Sequence, residues 1–420
     1  MRWTFLHAAD IHLDSPLLGL ARYEGAPVER FRDATRAALR KLVDAALDEG
    51  ARFVVIAGDL YDGPWRGFDT GLFFAAEMAR LRQAGIRVFL AHGNHDAESR
   101  LTKRLALPGN VHVFAAKRPE TRLLEDEGVA LHGQSFARQH VEDNLACRYP
   151  EPKPGFLNIG VLHTALEGSA EHASYAPCTA AELADKGYDY WALGHVHAAA
   201  TVRRDPWVVW CGNLQGRHAR ETGPKGCLRV TVEDGRVMAV EPVCCDAARW
   251  AVVPLGLDGV SALADVPFRA EAALKQAVLE AEDRPLAVRL RLLGETGAAP
   301  ELMAAVPRLE AEIRALAMSL GHELCWIEKI EVEARLPDSG EAVPDAFRAI
   351  LAEVAGDAGL HAALEREAGR LMAKLPLDLR RSGATGPLLA AFAEGRFTAL
   401  AEAGARLAET RLIDVPFARS

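Results

Sequence analysis

The sequence lacks the features of membrane, secreted and disulfide-stabilised proteins. No apolar run approaches the ~20 residues that are needed to span a bilayer. The N-terminus shows no charged segment followed by an apolar one, so we expect no signal peptide. The 420 residues include seven cysteines, which are scattered and form no Cys-x-x-Cys pair. We therefore predict a cytoplasmic protein with reduced thiols and no membrane partner.

The chain also lacks the excess of positive charge that is typical of nucleic-acid-binding proteins. Its formal net charge is −9 at pH 7, which argues against such a partner without excluding one. Binding depends on a local basic surface, and bound metal ions add positive charge of their own. Two basic stretches are candidates for that surface, although either could be an ordinary solvated face: Arg100, Lys103 and Arg104, and Arg203, Arg204, Arg217, Arg220 and Lys225.

The order of apolar runs predicts three domains. Strand-like and helix-like runs alternate up to about residue 247, which is typical of an α/β fold with a layered α/β/α sandwich. Residues 248–338 contain three strand-like runs separated by two helix-like ones, and this order predicts a small α+β domain. We expect Pro307 to delay or kink the second of these helices. Residues 339–420 show no strand signal and predict a helical C-terminal region, in which Leu360, Leu364, Leu371 and Leu375 share one helix face.

Polar side chains follow the apolar runs of the first domain in a repeated arrangement. Gly93-Asn94-His95-Asp96 comes directly after the strand-like run Val88 to Ala91. The same arrangement recurs at four other runs, which deliver Asp10 and His12, Asp59 and Asp62, His163, and His195 and His197. Ligands bind at the carboxyl ends of strands in α/β sheets. Aspartate and histidine suit Mn²⁺, Fe or Zn²⁺, and the set is large enough for two ions with one bridging carboxylate.

The order Asp-x-His, Gly-Asp-x-x-Asp, Gly-Asn-His-Asp, His, Gly-His-x-His resembles the calcineurin-like metallophosphoesterase superfamily. The opening run Ala8 to Pro16 resembles its DNA-repair nuclease branch, which includes SbcD/YhaO-like and Mre-type proteins. The later run Gly212 to His218, followed by Glu221 to Gly226, resembles the same branch. These motifs cover roughly the first half of the chain.

The resemblance implies a metallophosphoesterase sandwich with two metal ions, for which we expect Mn²⁺ first and Fe or Zn²⁺ as alternatives. It implies that one ion is held by Asp10, His12, Asp59 and His197, and the other by Asp59, Asn94, His163 and His195. His95 would then act as the general acid. Asp62 would orient His95, although it stands where archaeal and eukaryotic relatives carry a histidine, and it could instead cap a turn.

The resemblance also implies the remaining domains and partners. Residues 248–338 fall where the family carries a capping domain beside the active site. The helices beyond the cap bind an SMC-like ABC ATPase of the SbcC/YhaN type in that family, and a homodimer is a further family expectation. The helices could equally pack on their own chain.

Three functions therefore remain open at this point. The first is a metal-dependent DNA exonuclease or endonuclease in DNA repair that works with an ATPase partner. The second is a metallophosphoesterase for nucleotides or another phosphoester substrate, and the same metal site would serve it. The third is a non-enzymatic scaffold, against which the complete ligand set argues.

Overall fold

The structure of the protein is a computed structural model, and it describes residues 1–15, 28–62, 68–98, 106–166, 175–321, 324–335, 345–374 and 395–412. The basic stretch Arg100, Lys103 and Arg104 lies outside these residues, as does Leu375. The chain divides into two compact units. The first comprises Met1–Leu255, Pro267–Arg291 and Glu310–Glu331, and the second comprises Gly256–Val266, Leu292–Leu309 and the described part of Val332–Ser420.

A first six-stranded sheet carries three of the strands that lead into the polar motifs. Its strands lie in the spatial order β12 (Arg236–Cys244), β11 (Gly226–Glu233), β1 (Arg2–Ala8), β2 (Phe53–Ala57), β3 (Arg87–Ala91) and β4 (Val111–Val113). Strands β1 to β4 run parallel, and β11 pairs antiparallel with both β1 and β12. The parallel strands therefore end at one edge of this sheet.

A second six-stranded sheet carries the remaining motifs. Its strands lie in the order β5 (Glu120–Leu124), β6 (Val129–Gly133), β7 (Leu157–His163), β8 (Tyr190–Gly194), β10 (Trp207–Trp210) and β9 (Ala200–Arg204). The four central strands are parallel, whereas β5 and β9 are antiparallel edge strands. The polar ends of β7 and β8 are thereby placed side by side.

The two sheets face each other across a shared apolar core, which follows from the period of two along each strand. On β2, Phe53 and Val55 join a core that also contains Ile159 and Tyr190 of the second sheet. The alternate residue Ile56 joins a separate core on the outer face. Buried faces on both sides explain why the central strands are almost continuously apolar.

Helices cover the outer face of each sheet. The helices α1 (Val28–Asp48) and α2 (Asp69–Gln83) pack on the first sheet through apolar side chains such as Leu42 and Met78. The short helix α3 (Asn94–Glu98) follows β3, and α4 (Ala180–Asp185) packs on the second sheet through Leu183. The predicted layered α/β sandwich is confirmed, with two sheets between the helical layers.

A three-stranded sheet follows in the chain. It consists of β13 (Arg249–Gly256), β14 (Leu286–Leu293) and β15 (Cys325–Val332), and α5 (Asp265–Glu280) and α6 (Ala299–Ser319) connect these strands. This is the strand and helix order that the sequence predicts. Helix α6 begins eight residues before Pro307 and continues through it, so the proline does not delay the helix. The boundaries at residues 247 and 338 stay predictions.

The described part of the C-terminal region is helical. It contains α7 (Asp345–Ala355), α8 (Ala358–Lys374) and α9 (Phe397–Leu412), and α9 packs against the other two. Leu360, Leu364 and Leu371 all lie on α8. Asp357 marks the start of α8, because its Oδ1 accepts a hydrogen bond from the Leu360 amide at 2.7 Å. Within the described chain, no helix has both the length and the apolar character to cross a membrane.

Candidate metal centre

The sequence singles out nine side chains, and the fold brings eight of them together. Seven form three groups of potential metal ligands, and the eighth is hydrogen-bonded to one of these groups. Within the described residues, the groups are Asp10, His12 and His197; Asp10, Asp59 and His163; and His12, Asp62 and His95. In each group the ligand atoms lie within 4.8 Å of one another. Asn94 is bonded to the second group through His163. The ninth side chain, His195, is brought beside His163, with ring centroids 5.2 Å apart.

Left-handed backbone conformations turn these side chains inward at the strand ends. The φ angles of Asp10, His12, Asp59 and His195 are +50°, +46°, +51° and +96°. Aspartate and histidine tolerate this region better than most residues, but it still carries strain. The space at Gly93 is too small for a side chain, because a Cβ there would lie 2.3 Å from Asp59 Oδ1. The glycine of the Gly-Asn-His-Asp motif is therefore required by space.

The first group is built around two facing imidazoles. His12 Nε2 lies 3.2 Å from His197 Nε2, and His197 Nε2 lies 3.8 Å from Asp10 Oδ1. The Asp10 carboxylate is held in place by the backbone amide of His195, which donates to it at 2.9 and 3.1 Å. Asp10 and His12 are fully buried, so both present their donor atoms to an interior space.

The second group is built around Asp59. Its Oδ2 lies 3.3 Å from His163 Nε2, and the same nitrogen lies 3.0 Å from Asn94 Oδ1. His163 Nδ1 donates to the Ala57 carbonyl at 2.9 Å, which fixes the ring and directs Nε2 toward the group. Asp59 Oδ2 also lies 3.9 Å from His12 Nε2, so this carboxylate faces both groups.

The donor set fits a pair of divalent metal ions. It combines imidazole, carboxylate and amide donors and contains no thiolate, a combination that suits Mn²⁺, Fe or Zn²⁺. His12 Nδ1 is buried without a hydrogen-bond partner among the described residues, and Asp62 Oδ1 lies 3.5 Å from it. With its proton on Nδ1, His12 presents the lone pair of Nε2 to the space shared with His197. Two imidazole Nε2 atoms 3.2 Å apart, with Asp59 Oδ2 at 3.9 Å from His12 Nε2, fit ligands that converge on one cation.

Burial and mutual attraction set the charges of the group. Burial raises the pKa of Asp10 to about 6. Burial opposes protonation of His163, but the adjacent Asp59 carboxylate outweighs it and raises the pKa of His163 to about 9. Burial also disfavours the charged form of Asp59, yet contact with His163 holds its pKa well below the usual range. The protein thus keeps a carboxylate charged in its interior only through cationic neighbours, and divalent ions would supply the same compensation.

His95 and Asp62 form a pair at the rim of the site. His95 Nδ1 lies 3.2 Å from Asp62 Oδ1, and its hydrogen bond to Asp62 is the main cause of a raised pKa for His95. Ser15 Oγ donates to the other Asp62 oxygen at 2.7 Å. The His95 side chain is 36% exposed, the largest exposure in the three groups. His95 is therefore the side chain of these groups that an incoming substrate can reach most readily.

Three further residues hold the site together, and sequence reasoning assigned none of these roles. Asp96 is buried and accepts hydrogen bonds from the amides of Leu60, Tyr61 and Gly93. Glu221 Oε1 lies 2.6 Å from His197 Nδ1. Arg217 contacts both Glu221 and Asp62. Asp96 and Glu221 stand inside the sequence motifs, but Asp96 meets Tyr61 across 35 residues and Glu221 meets His197 across 24, so no spacing signal reveals these contacts.

Comparison with known proteins agrees with this site. The family model for calcineurin-like phosphoesterases matches residues 4–199, and the model for the middle domain of the metallophosphoesterase YhaO matches residues 250–335. Residues 4–199 therefore form a domain of the calcineurin-like metallophosphoesterase superfamily. Within it, the matched middle domain and the relatives described next assign the chain to the YhaO/Mre-like branch.

Two curated relatives are similar to the chain. It is 38% identical over 238 residues to the uncharacterized metallophosphoesterase YhaO of Bacillus subtilis (strain 168), which covers 56% of this chain and 58% of that protein. It is 27% identical over 215 residues to the DNA double-strand break repair protein Mre11 of Methanopyrus kandleri, which covers 46% of this chain and 44% of that protein. The chain spans about half the length of these relatives.

Proposed function

We propose that this metallophosphoesterase is a two-metal phosphodiesterase that cleaves DNA in repair. The single observation that carries the proposal is the convergence of seven buried or half-buried side chains, which we propose as ligands, at the strand ends, with the His95–Asp62 pair at their exposed rim. DNA as the substrate is supported by the similarity to Mre11 of Methanopyrus kandleri, a DNA double-strand break repair protein.

The residues divide into two ligand sets that share Asp59. Asp10, His12, Asp59 and His197 would hold one ion; Asp59, Asn94, His163 and His195 would hold the other. Asp59 is suited to bridge, since its Oδ2 faces both His12 and His163. When bound, two such ions activate water and neutralise the phosphoester charge during an in-line displacement. We propose Mn²⁺ as the metal, with Fe or Zn²⁺ as alternatives.

His95 and Asp62 supply the proton chemistry in this proposal. The Asp62 carboxylate accepts from His95 Nδ1, which orients the ring and favours its protonated form. The opposite nitrogen, Nε2, is then the atom that can donate a proton to the leaving oxygen. Ser15 holds the second oxygen of Asp62, so the carboxylate cannot rotate freely away from His95.

Basic residues near His197 favour a polynucleotide over a small phosphoester. Arg203 and Arg204 are exposed on β9, but β10 pairs them with the start of β8, so they lie at the end of the sheet opposite the site. Arg220 is also exposed. Lys225 lies next to a ligand residue, because its Nζ donates to the His197 carbonyl at 3.1 Å. Lysine and arginine at such positions bind phosphates without regard to sequence.

Partners and location follow the same proposal. An SMC-like ABC ATPase would bind the C-terminal helices, where Ile350 and Val354 lie one turn apart on α7 and are 52% and 50% exposed. A homodimer is a further expectation. All seven cysteines are free thiols, which supports a cytoplasmic location.

The test compares degradation of labelled linear DNA with hydrolysis of a small phosphodiester, with and without Mn²⁺. The wild type is measured beside His95→Ala and beside His140→Ala, a matched control in which the exposed His140 is removed. We expect Mn²⁺-dependent DNA cleavage that His95→Ala abolishes and His140→Ala leaves intact. Closed circular DNA in parallel separates endonuclease from exonuclease action.

Small-diester hydrolysis without DNA cleavage, even with the ATPase partner added, would contradict the DNA proposal. It would favour a nucleotide or another phosphoester as the substrate. Two bound metals without activity on either substrate would favour a scaffold.

A further inference from the structure

Arg217 lies between two carboxylates that each orient a different histidine of the site. Its Nη1 is 3.5 Å from Asp62 Oδ2, and its Nη2 is 3.3 Å from Glu221 Oε1. The arginine side chain is only 13% exposed, and the two carboxylates are 17% and 5% exposed. These contacts are therefore largely shielded from water, unlike ordinary surface ion pairs.

Each carboxylate also contacts histidines of the site, and Asp62 has a second one, His12, whose Nδ1 lies 3.5 Å from Oδ1. Asp62 Oδ1 lies 3.2 Å from His95 Nδ1, and Glu221 Oε1 lies 2.6 Å from His197 Nδ1. A single guanidinium thus connects the exposed rim of the site with one of its buried ligand sets. The contacts run through His95, Asp62, Arg217, Glu221 and His197. Arg217 Nη2 also lies 3.3 Å from His197 Nδ1 directly.

Glu221 is itself fixed by the backbone that carries Arg217. The Arg217 amide donates to Glu221 Oε2 at 2.7 Å, and Asn213 Nδ2 donates to the same oxygen at 3.0 Å. His218 Nε2 lies 3.3 Å from Glu221 Oε1, so this oxygen has several neighbours. Among the described residues, Arg217 is the residue that contacts Glu221 and Asp62 together.

We propose that Arg217 is a positioning residue, which fixes His95 and His197 relative to each other by bridging Asp62 and Glu221. This inference rests on the proposed function for the role of His95 as an acid, but the bridge itself is a property of the metallophosphoesterase site. Its effect on catalysis comes from geometry, because a small misplacement of an acid relative to the reacting centre lowers the rate strongly.

The chemistry of the bridge requires arginine rather than lysine. A guanidinium is planar and presents several N–H donors in a fixed fork, so one group can serve two carboxylates in different directions. A lysine ammonium keeps the charge but is a compact point on a flexible stem. Arg217→Lys therefore removes the bridge while it retains the positive charge between the two carboxylates.

The kinetic test uses the full chain, saturating Mn²⁺ and a small phosphodiester, with labelled DNA in parallel. For Arg217→Lys we expect kcat to fall about 10–100-fold, the usual effect of losing an outer partner of a ligand, with KM within about twofold. Arg217→Ala should lose as much and regain part of its kcat in non-denaturing guanidinium chloride, but not in equal sodium chloride. Arg118→Lys and Arg118→Ala, at an exposed arginine in the loop between β4 and β5, are the matched controls and should stay near wild type.

Double variants distinguish a bridge between Asp62 and Glu221 from two independent contacts of Arg217. Arg217→Lys combined with Glu221→Gln should lose no more kcat than the worse single variant, and the same should hold with Asp62→Asn, since residues that act as a unit are not additive. A parallel readout uses metal-free protein and needs no turnover. The fall in Tm of each double variant should be smaller than the sum of the two single falls.

Several results would overturn the inference. A raised KM with unchanged kcat would mean that Arg217 binds the substrate directly. Additive losses in kcat and in Tm, or near-wild-type behaviour of Arg217→Lys, would show that no bridge operates. A wild type that hydrolyses the small diester but not DNA would refute the DNA proposal alone, and the Arg217 comparison would proceed on the diester. The metal-free Tm comparison decides the case if neither substrate is hydrolysed.

Discussion

Replacement of Asp96 by alanine should destabilise the loops that carry the proposed metal ligands. The Asp96 carboxylate is 1% exposed. Its Oδ2 accepts from the amides of Leu60 and Gly93 at 3.2 and 3.0 Å, and its Oδ1 accepts from the amide of Tyr61 at 2.9 Å. One side chain therefore joins the loop after β2 to the loop after β3, and Asp96→Ala removes all three hydrogen bonds at once.

The expected loss of unfolding free energy follows from the number of backbone N–H groups that lose their acceptor. Each buried donor that is left unsatisfied costs about 1–3 kcal/mol, so three give a range of roughly 3–9 kcal/mol. Burial raises the pKa of Asp96 and shows that the carboxylate itself is poorly solvated, which offsets part of the loss. We expect a decrease in the free energy of unfolding at the lower end, about 3–4 kcal/mol.

Urea denaturation of metal-free protein measures this change, and Mn²⁺ titration of the same samples reports on the ligand loops. Asp126→Ala is the matched control, since Asp126 is exposed in the turn between β5 and β6. We expect Asp96→Ala to weaken Mn²⁺ binding as well, because Asp59 and Asn94 lie on the two loops. A loss of unfolding free energy under about 1 kcal/mol, less than one orphaned donor, would refute the reasoning.

Three other changes test the site. His95→Ala should lower kcat by about 10²–10⁴-fold, the usual contribution of a general acid, and leave the metal content measured by atomic emission unchanged; loss of both metals would show that His95 is a ligand. Gly194→Ala should lower Tm and metal content, because its Cβ would lie 2.0 Å from the Ala57 carbonyl oxygen, whereas Gly109→Ala meets open space and should behave as wild type. Added Mn²⁺ should raise the Tm of chelator-treated protein, and Asp59→Asn should abolish most of that rise; an unchanged rise would argue against a bridging role.

The sequence was informative about the strand ends because burial on both faces leaves a clear signal. Strands such as β2 are almost wholly apolar and end abruptly in polar residues, so Asp59 and its counterparts could be assigned to one edge of the sheets. The burial of both faces also makes the sequences of the central strands different from those of the edge strands. The edge strand β9 is exposed along its whole length, and its polar sequence gave no comparable signal.

The supporting residues could not be found in this way. Glu221 meets His197 across 24 residues, and Asp96 meets Tyr61 across 35. Such pairs depend on how the loops fold over one another, which neither hydrophobic period nor turn chemistry specifies. Pro307 shows the opposite problem, because a local rule predicted a delayed or kinked helix, and the helix begins eight residues before the proline. A proline removes one hydrogen bond, and the packing of a long amphipathic helix can tolerate that loss.

The left-handed backbone at Asp10, His12, Asp59 and His195 has a consequence for the lifetime of the protein. Each such residue costs on the order of 1 kcal/mol or more, so the four together remove roughly 4 kcal/mol from the stability of the fold. Binding of ions to these residues would return at least part of that energy. A shortage of metal would then leave a population that opens locally at the strand ends and is cleaved there by proteases. Metal supply would set the abundance of the protein as well as its activity.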